Sequence, residues 1–98
     1  MHNQFWLEAE LLQREAMRYT PAGLACVTCQ LRHSSDQEEA GSTRLIHAEF
    51  NAIAFGDIAK KIAGYELGKR IKLVGFFAAK NQYSQQLILH IQKIKVID

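Results

Sequence analysis

Cys26, Cys29 and His33 stand three and four residues apart, spacings that a zinc ion or a thiol redox couple uses. A structural zinc site needs four ligands, and a redox CxxC usually opens a helix whose N-terminus lowers the thiol pKa. Neither context surrounds CVTCQLRH. In a strand, residues three apart lie about 10 Å from each other on opposite faces, too far for a disulfide or a shared metal. Cys29 is therefore expected in the core with Val27 and Leu31, Cys26 as a small outward residue, and His33 as a polar strand terminus. His2 and His90 also lack partners at ligand spacing. No nucleophile elbow, Walker loop, GxGxxG or HExxH occurs, so the sequence calls for no enzyme, metal or cofactor.

A second set of side chains suits binding rather than catalysis. Arg18, Tyr19, Gln30, Arg32, His47, Lys80 and Tyr83 mix cations with flat rings. On single-stranded nucleic acid, cations track phosphates while rings stack on bases without reading them. Each of these residues is ordinary alone, as a solvated charge or a cross-strand packing ring. Charge is unevenly spread: residues 1–57 hold four Lys/Arg against eight acids, a net of −4, and residues 58–98 hold eight against two, a net of +6. The basic half suits an anionic partner.

What must position these residues is a set of short strands. Phe5, Leu7, Ala9 and Leu11 alternate with Trp6, Glu8 and Glu10, the period of a half-buried strand. Thr20-Pro21-Ala22-Gly23 reads as a turn, followed by a strand over 24–33. The polar, acidic run to Gly41 reads as a loop, and alternation resumes over 44–50. GDIAKKIAGYELG changes period to a short helix, with Asp57 as N-cap and Ile58 and Ile62 on one face. Residues 69–77 alternate again, and Gly75 inside them signals a bulge, a bend or close backbone approach. A turn over 79–82 precedes a last strand over 83–97. There Leu87, Leu89 and Ile91 keep one parity and Ile94 and Val96 the other, so one extra residue at Gln92 or Lys93 restores a common face.

Three strands, a helix and two strands make the element order of an all-β, five-stranded OB-fold Greek-key barrel, with its helix between strands 3 and 4. Such a barrel binds oligonucleotides on strands 2 and 3 and the loops beside them, which is where the cations and rings above fall. The 98 residues, 48% hydrophobic and 22% charged, suit one domain over 1–98. MHNQFWLEAE has neither the basic nor the apolar region of a secretory signal, and no apolar run reaches the ~20 residues of a membrane span. A cytoplasmic protein with free thiols and no membrane partner is expected.

The run TPAGLACVTCQLRHSSDQEEAG, then Arg44, Phe55-Gly56, LGKRIKLVGF and LILHIQKIKVID resembles primosomal replication protein N, the PriB family of single-strand binding relatives. The resemblance spans nearly the whole chain, and QEEAG followed by Arg44 is its most specific piece. It implies an OB-fold homodimer, without enzyme activity, that binds single-stranded DNA in replication restart and links the PriA helicase to later primosome proteins of the DnaT type. It adds Arg44 to the DNA-binding candidates Arg18, Tyr19, Arg32, His47, Lys80 and Tyr83. Asp36, Glu38 and Glu39 would repel phosphate, and are expected to form a rim or a contact for a protein partner.

Departures from the family pattern weaken the expected DNA site. His47 stands where a DNA-contacting tryptophan belongs, Gln86 where a lysine would match, and Ser34 where a basic residue would follow His33. Arg18 is kept, but the loop between strands 4 and 5 keeps only Lys80. The alternative is a primosome adaptor with little DNA binding of its own. The chain ends at Asp98, within the last expected strand, where true single-strand binding proteins run on into an acidic tail. The first strand is the expected dimer seam.

Overall fold

The computed structural model describes residues 1–97, so the expectation that Asp98 falls within the last strand lies outside the described residues. The elements are β1 (Phe5–Arg14), β2 (Arg18–Tyr19), β3 (Ala25–Glu39), β4 (Ser42–Phe55), α1 (Asp57–Ala63), β5 (Arg70–Ala79) and β6 (Leu87–Val96). Leaving aside the two-residue β2, this is the expected order of three strands, a helix and two strands. Strand order is β1-β5-β6-β4-β3-β2, and β1 also pairs with β3, which closes five strands into a barrel. The closure includes a short parallel contact of β4 with β6, Ala52 against Leu89 and Ile53 against His90. With α1 between β4 and β5, the architecture is an OB-fold.

Inward positions follow the alternation. Ala9 and Leu11 of β1, Val27, Cys29 and Leu31 of β3, Ala52 and Ala54 of β4, Ile71 and Leu73 of β5, and Leu89 and Ile91 of β6 form one core. Ala59 and Ile62 of α1 are buried with them, and Ile58 packs beside them. Gly56, not Asp57, is the N-cap; Asp57 is the first helical residue, where its carboxylate favours the positive end of the helix dipole. No polar or charged residue is buried among the described residues.

β1 serves two partners. Phe5 to Glu10 pair with β5, and Glu10 to Arg14 pair with β3, with an extra residue at Leu12 where the register shifts. Between β5 and β6, Val74 faces Lys93 and Gly75 faces Ile91, so Gln92 is the extra residue that the phase slip required. The bulge carries Ile94 and Val96 back to the core side, whereas Leu87, expected beside them, stays exposed. A Cβ on Gly75 would stand 2.1 Å from the His90 carbonyl oxygen, so only glycine fits.

Three further expectations are corrected. The acidic stretch holding Asp36, Glu38 and Glu39 is not a loop: β3 runs to Glu39 and pairs with β4 in unbroken register from Cys26↔Phe55 to Glu39↔Ser42. Ala40 and Gly41 both take positive φ, 51° and 82°, the signature of a two-residue type I′ hairpin turn. The outer half of this hairpin is a largely exposed arm, and on its β3 side no apolar alternation marked the strand. The last strand starts at Leu87, because residues 80–86 close a loop through Lys80 N–H donating to the Gln86 carbonyl (2.8 Å) and Ser84 N–H to that of Asn81 (3.2 Å). Finally, Cys26 faces outward in phase yet is only 2% exposed, in register between Arg18 of β2 and Phe55 of β4.

Candidate nucleic-acid interface

Strand register places residues directly across the sheet on a common face. Thr28 lies opposite Ile53, Ile53 beside His90, and His90 opposite Phe76, while Arg18 and Cys26 lead to Phe55 one step along. The outcome is one outward surface across β2, β3, β4, β6 and β5. Along it the His90 ring stacks on Phe76 (centroids 4.8 Å apart, planes at 12°) and, more loosely, on Phe55 (6.1 Å, 26°). These three rings form an aromatic tier on the outer face of the sheet, with His90 packed face to face on Phe76.

An open groove of about 520 Å³ takes in Phe55 and His90, bordered by Arg18 and Glu15 on one side and by Lys80 and Gln86 on the other. The tight Thr20–Gly23 turn fixes the Arg18 side: Gly23 N–H donates to the Thr20 carbonyl (2.8 Å) and Leu24 N–H to the Thr20 hydroxyl (3.1 Å). Arg18 ion-pairs with Glu15 at 3.6 Å, an exposed contact that a phosphate can replace at little cost. Cations at two rims over a floor of rings make a site that takes an extended, anionic, base-bearing chain.

The sequence-derived candidates divide into two groups. Arg18 and Lys80 border the groove, and Tyr83, 89% exposed, stands on the loop that carries Lys80. Tyr19 is exposed but lies opposite Ala25, in the other phase from Arg18. Arg32, Arg44 and His47 lie towards or on the arm. At a rise of about 3.3 Å per residue, His47 sits roughly 26 Å and Arg44 roughly 36 Å along β4 from Phe55.

Charge on the arm is compensated. Arg32 is flanked by Glu10 (3.9 Å) and Glu49 (4.0 Å), and Arg44 holds Glu39 at 3.3 Å. The His47 ring meets the Ser34 hydroxyl at 3.2 Å. Asp36 and Glu38 share the arm face of Arg32 and His47, while Glu39 lies on the other face. His33 is no strand terminus: its Nδ1–H donates to the Glu8 carbonyl (2.7 Å), tying the arm's root to β1.

The sequence reading missed the ring tier itself. Phe55 counted only as part of a resemblance and His90 only as a lone imidazole; the signal that unites them is the parallel β4–β6 register. The cysteines are no redox pair. Both are buried, and desolvation pushes the Cys29 thiol from 9.0 up to about 12, which suppresses the thiolate.

Residues 3–93 match the family described as "Another single-strand binding protein family". The chain is 40% identical over 95 residues to the replication restart protein PriB of Nitrosomonas europaea, covering 97% of this chain and 88% of that one. It is 37% identical to the protein of the same name from Bordetella pertussis, over 97% and 89% of the two chains. The solved structure of PriB from Ralstonia solanacearum superposes with a TM-score of 0.88 at 32% identity, covering 98% of each chain. The single-stranded DNA binding protein of Thermus aquaticus, 24% identical, shares the fold with a TM-score of 0.78 over 99% of this chain and 50% of its own.

Proposed function

Because the chain belongs to the PriB family of replication restart proteins, we propose that it is an accessory single-stranded DNA-binding protein of the primosome, without catalytic activity, acting in replication restart. The observation that carries the reading is the groove lined by Arg18, Lys80, Phe55 and His90, with Phe76 stacked against His90 outside it. Phosphates meet the rims and bases lie on the rings, so binding tolerates any sequence. Arg32, Arg44 and His47 extend the contact along the arm, Tyr83 stands on the loop beside Lys80, and Tyr19 is exposed next to Arg18.

In this reading the DNA-bound protein stimulates the PriA helicase and bridges it to a DnaT-type protein, with Asp36, Glu38 and Glu39 on the arm as the partner contact. The protein acts as a homodimer. Support for the seam comes from β1: Phe5 to Ala9 pair with β5 on one edge, while pairing with β3 begins only at Glu10, leaving the other edge for a second copy. The compensated charges of Arg32 and Arg44 favour a second reading, an adaptor whose protein contacts outweigh its DNA contacts.

Titration of a labelled oligothymidylate at several salt concentrations tests the proposal. Wild type binds with salt-dependent affinity, and Lys80→Ala and Phe55→Ala weaken it. Absence of salt-dependent binding overturns the DNA reading in favour of the adaptor.

A further inference from the structure

Away from the groove, the sheet made by β1, β5 and β6 turns a second face outward. Trp6, Val74 and Lys93 form one cross-strand row, and Glu8, Lys72 and Lys95 form the next. Trp6 is 61% exposed, and the Lys72 ammonium sits 4.5 Å from its ring centroid. A shallow hollow of about 180 Å³ lies between Trp6 and the three lysines. Three lysines against Glu8 leave this face positive.

We infer that the Trp6 face is a second single-stranded DNA contact, which receives the strand as it leaves the groove. The inference rests on the proposed function and deepens it. Phe76 of the ring tier and Val74 beside Trp6 are two residues apart on the same side of β5, about 7 Å. The bulge at Gln92 matters as much: it puts Lys93 and Lys95 on the outer side with His90, where an unbroken alternation would have turned them inward. Groove and Trp6 face are thus one continuous outer surface. Lysines at alternate positions of β6 track phosphates, and a tryptophan held in place by Lys72 is a stacking platform that loses little freedom on binding. An acidic peptide would satisfy the lysines, but would gain less from a flat ring joined to the ring tier.

Trp6 is the sole tryptophan, so its emission reports on this face alone. Anisotropy and tryptophan emission are followed together, at fixed protein concentration, with oligothymidylates of about 8 and about 35 nucleotides, the shorter within the span of one OB barrel. Both bind, and only the longer quenches Trp6. The Lys93→Gln/Lys95→Gln double variant loses the quench and about tenfold in affinity for the longer oligonucleotide, and holds the shorter like wild type. Binding of the longer oligonucleotide with Trp6 emission unmoved overturns the inference and leaves the groove standing. Equal quenching by a polyglutamate of matched charge overturns it in favour of an acidic protein partner. Failure of both oligonucleotides to bind overturns the groove reading and this inference together.

Discussion

The His90 ring lies on Phe76, 4.8 Å between centroids, while its carbonyl oxygen occupies the space where Gly75 would carry a side chain. One residue of β6 therefore touches two successive residues of β5, ring to ring and backbone to glycine. Gly75→Ala forces β5 and β6 apart at the point where the ring tier is built. It is expected to destabilise the protein by about 3 kcal/mol or more, the upper end for overpacking, because the clash is with backbone. Urea unfolding measures the loss, and a fall below about 1 kcal/mol would show that the strands yield freely.

Groove residues are expected to fail in two distinguishable ways. Phe55→Ala removes a stacking ring and lowers oligonucleotide affinity roughly tenfold, with the salt dependence unchanged. Lys80→Ala lowers affinity and also reduces the slope of log affinity against log salt by about 0.7, the value for one phosphate contact on a single strand. Equal slopes for both variants would remove Lys80 from the phosphate path.

Cys29 predicts an alkaline weakness. The folded chain holds the thiol proton up to about 12, whereas the unfolded chain releases it near 9.0. Its contribution to stability is whole below 9.0 and is lost as pH rises towards about 12, a span worth at most about 4 kcal/mol. Wild type should therefore lose stability above 9.0 more steeply than Cys29→Ala. Urea midpoints on both sides of that pH give the comparison, and parallel curves would refute it.

The arm offers a test of local stability. Ala40 takes φ 51°, a left-handed conformation that costs a residue with a Cβ about 1 kcal/mol. Ala40→Gly relieves that strain, and hydrogen exchange at the arm amides should slow several-fold. Because a two-stranded ribbon exposed on both faces opens on its own, the melting temperature should hardly move. A clear rise in melting temperature would mean that arm and barrel unfold as one unit.

On the proposed function, the arm acids serve the helicase rather than DNA. Asp36→Lys/Glu38→Lys should leave oligonucleotide binding equal or tighter and reduce stimulation of PriA unwinding at least several-fold. Unchanged stimulation would move the partner contact elsewhere.

How far the sequence reveals the molecule depends on where each signal comes from. Burial on one face wrote the alternation of β1 and β5, and the parity change after Ile91 located the bulge at Gln92. The β3 side of the arm carries no such record, since solvent lets Gln37, Glu38 and Glu39 stand in a strand without periodicity. Lys80 and Arg18 were legible as types of residue expected beside an OB barrel. Phe55, His90 and Phe76 were not, because their meeting depends on the register of β6 with both β5 and β4, the latter more than thirty residues away in the chain.

That contact has a consequence for synthesis. Only Ala52↔Leu89 and Ile53↔His90 join β4 to β6, and the floor of the groove straddles this seam. The β3–β4 hairpin can form early, from contiguous chain, but β6, which carries His90, is made only after α1 and β5. Until then the floor has no middle, and a nascent chain has nothing on which to lay a base. On the proposed function, the capacity to engage DNA through this groove is thus withheld until the barrel has closed.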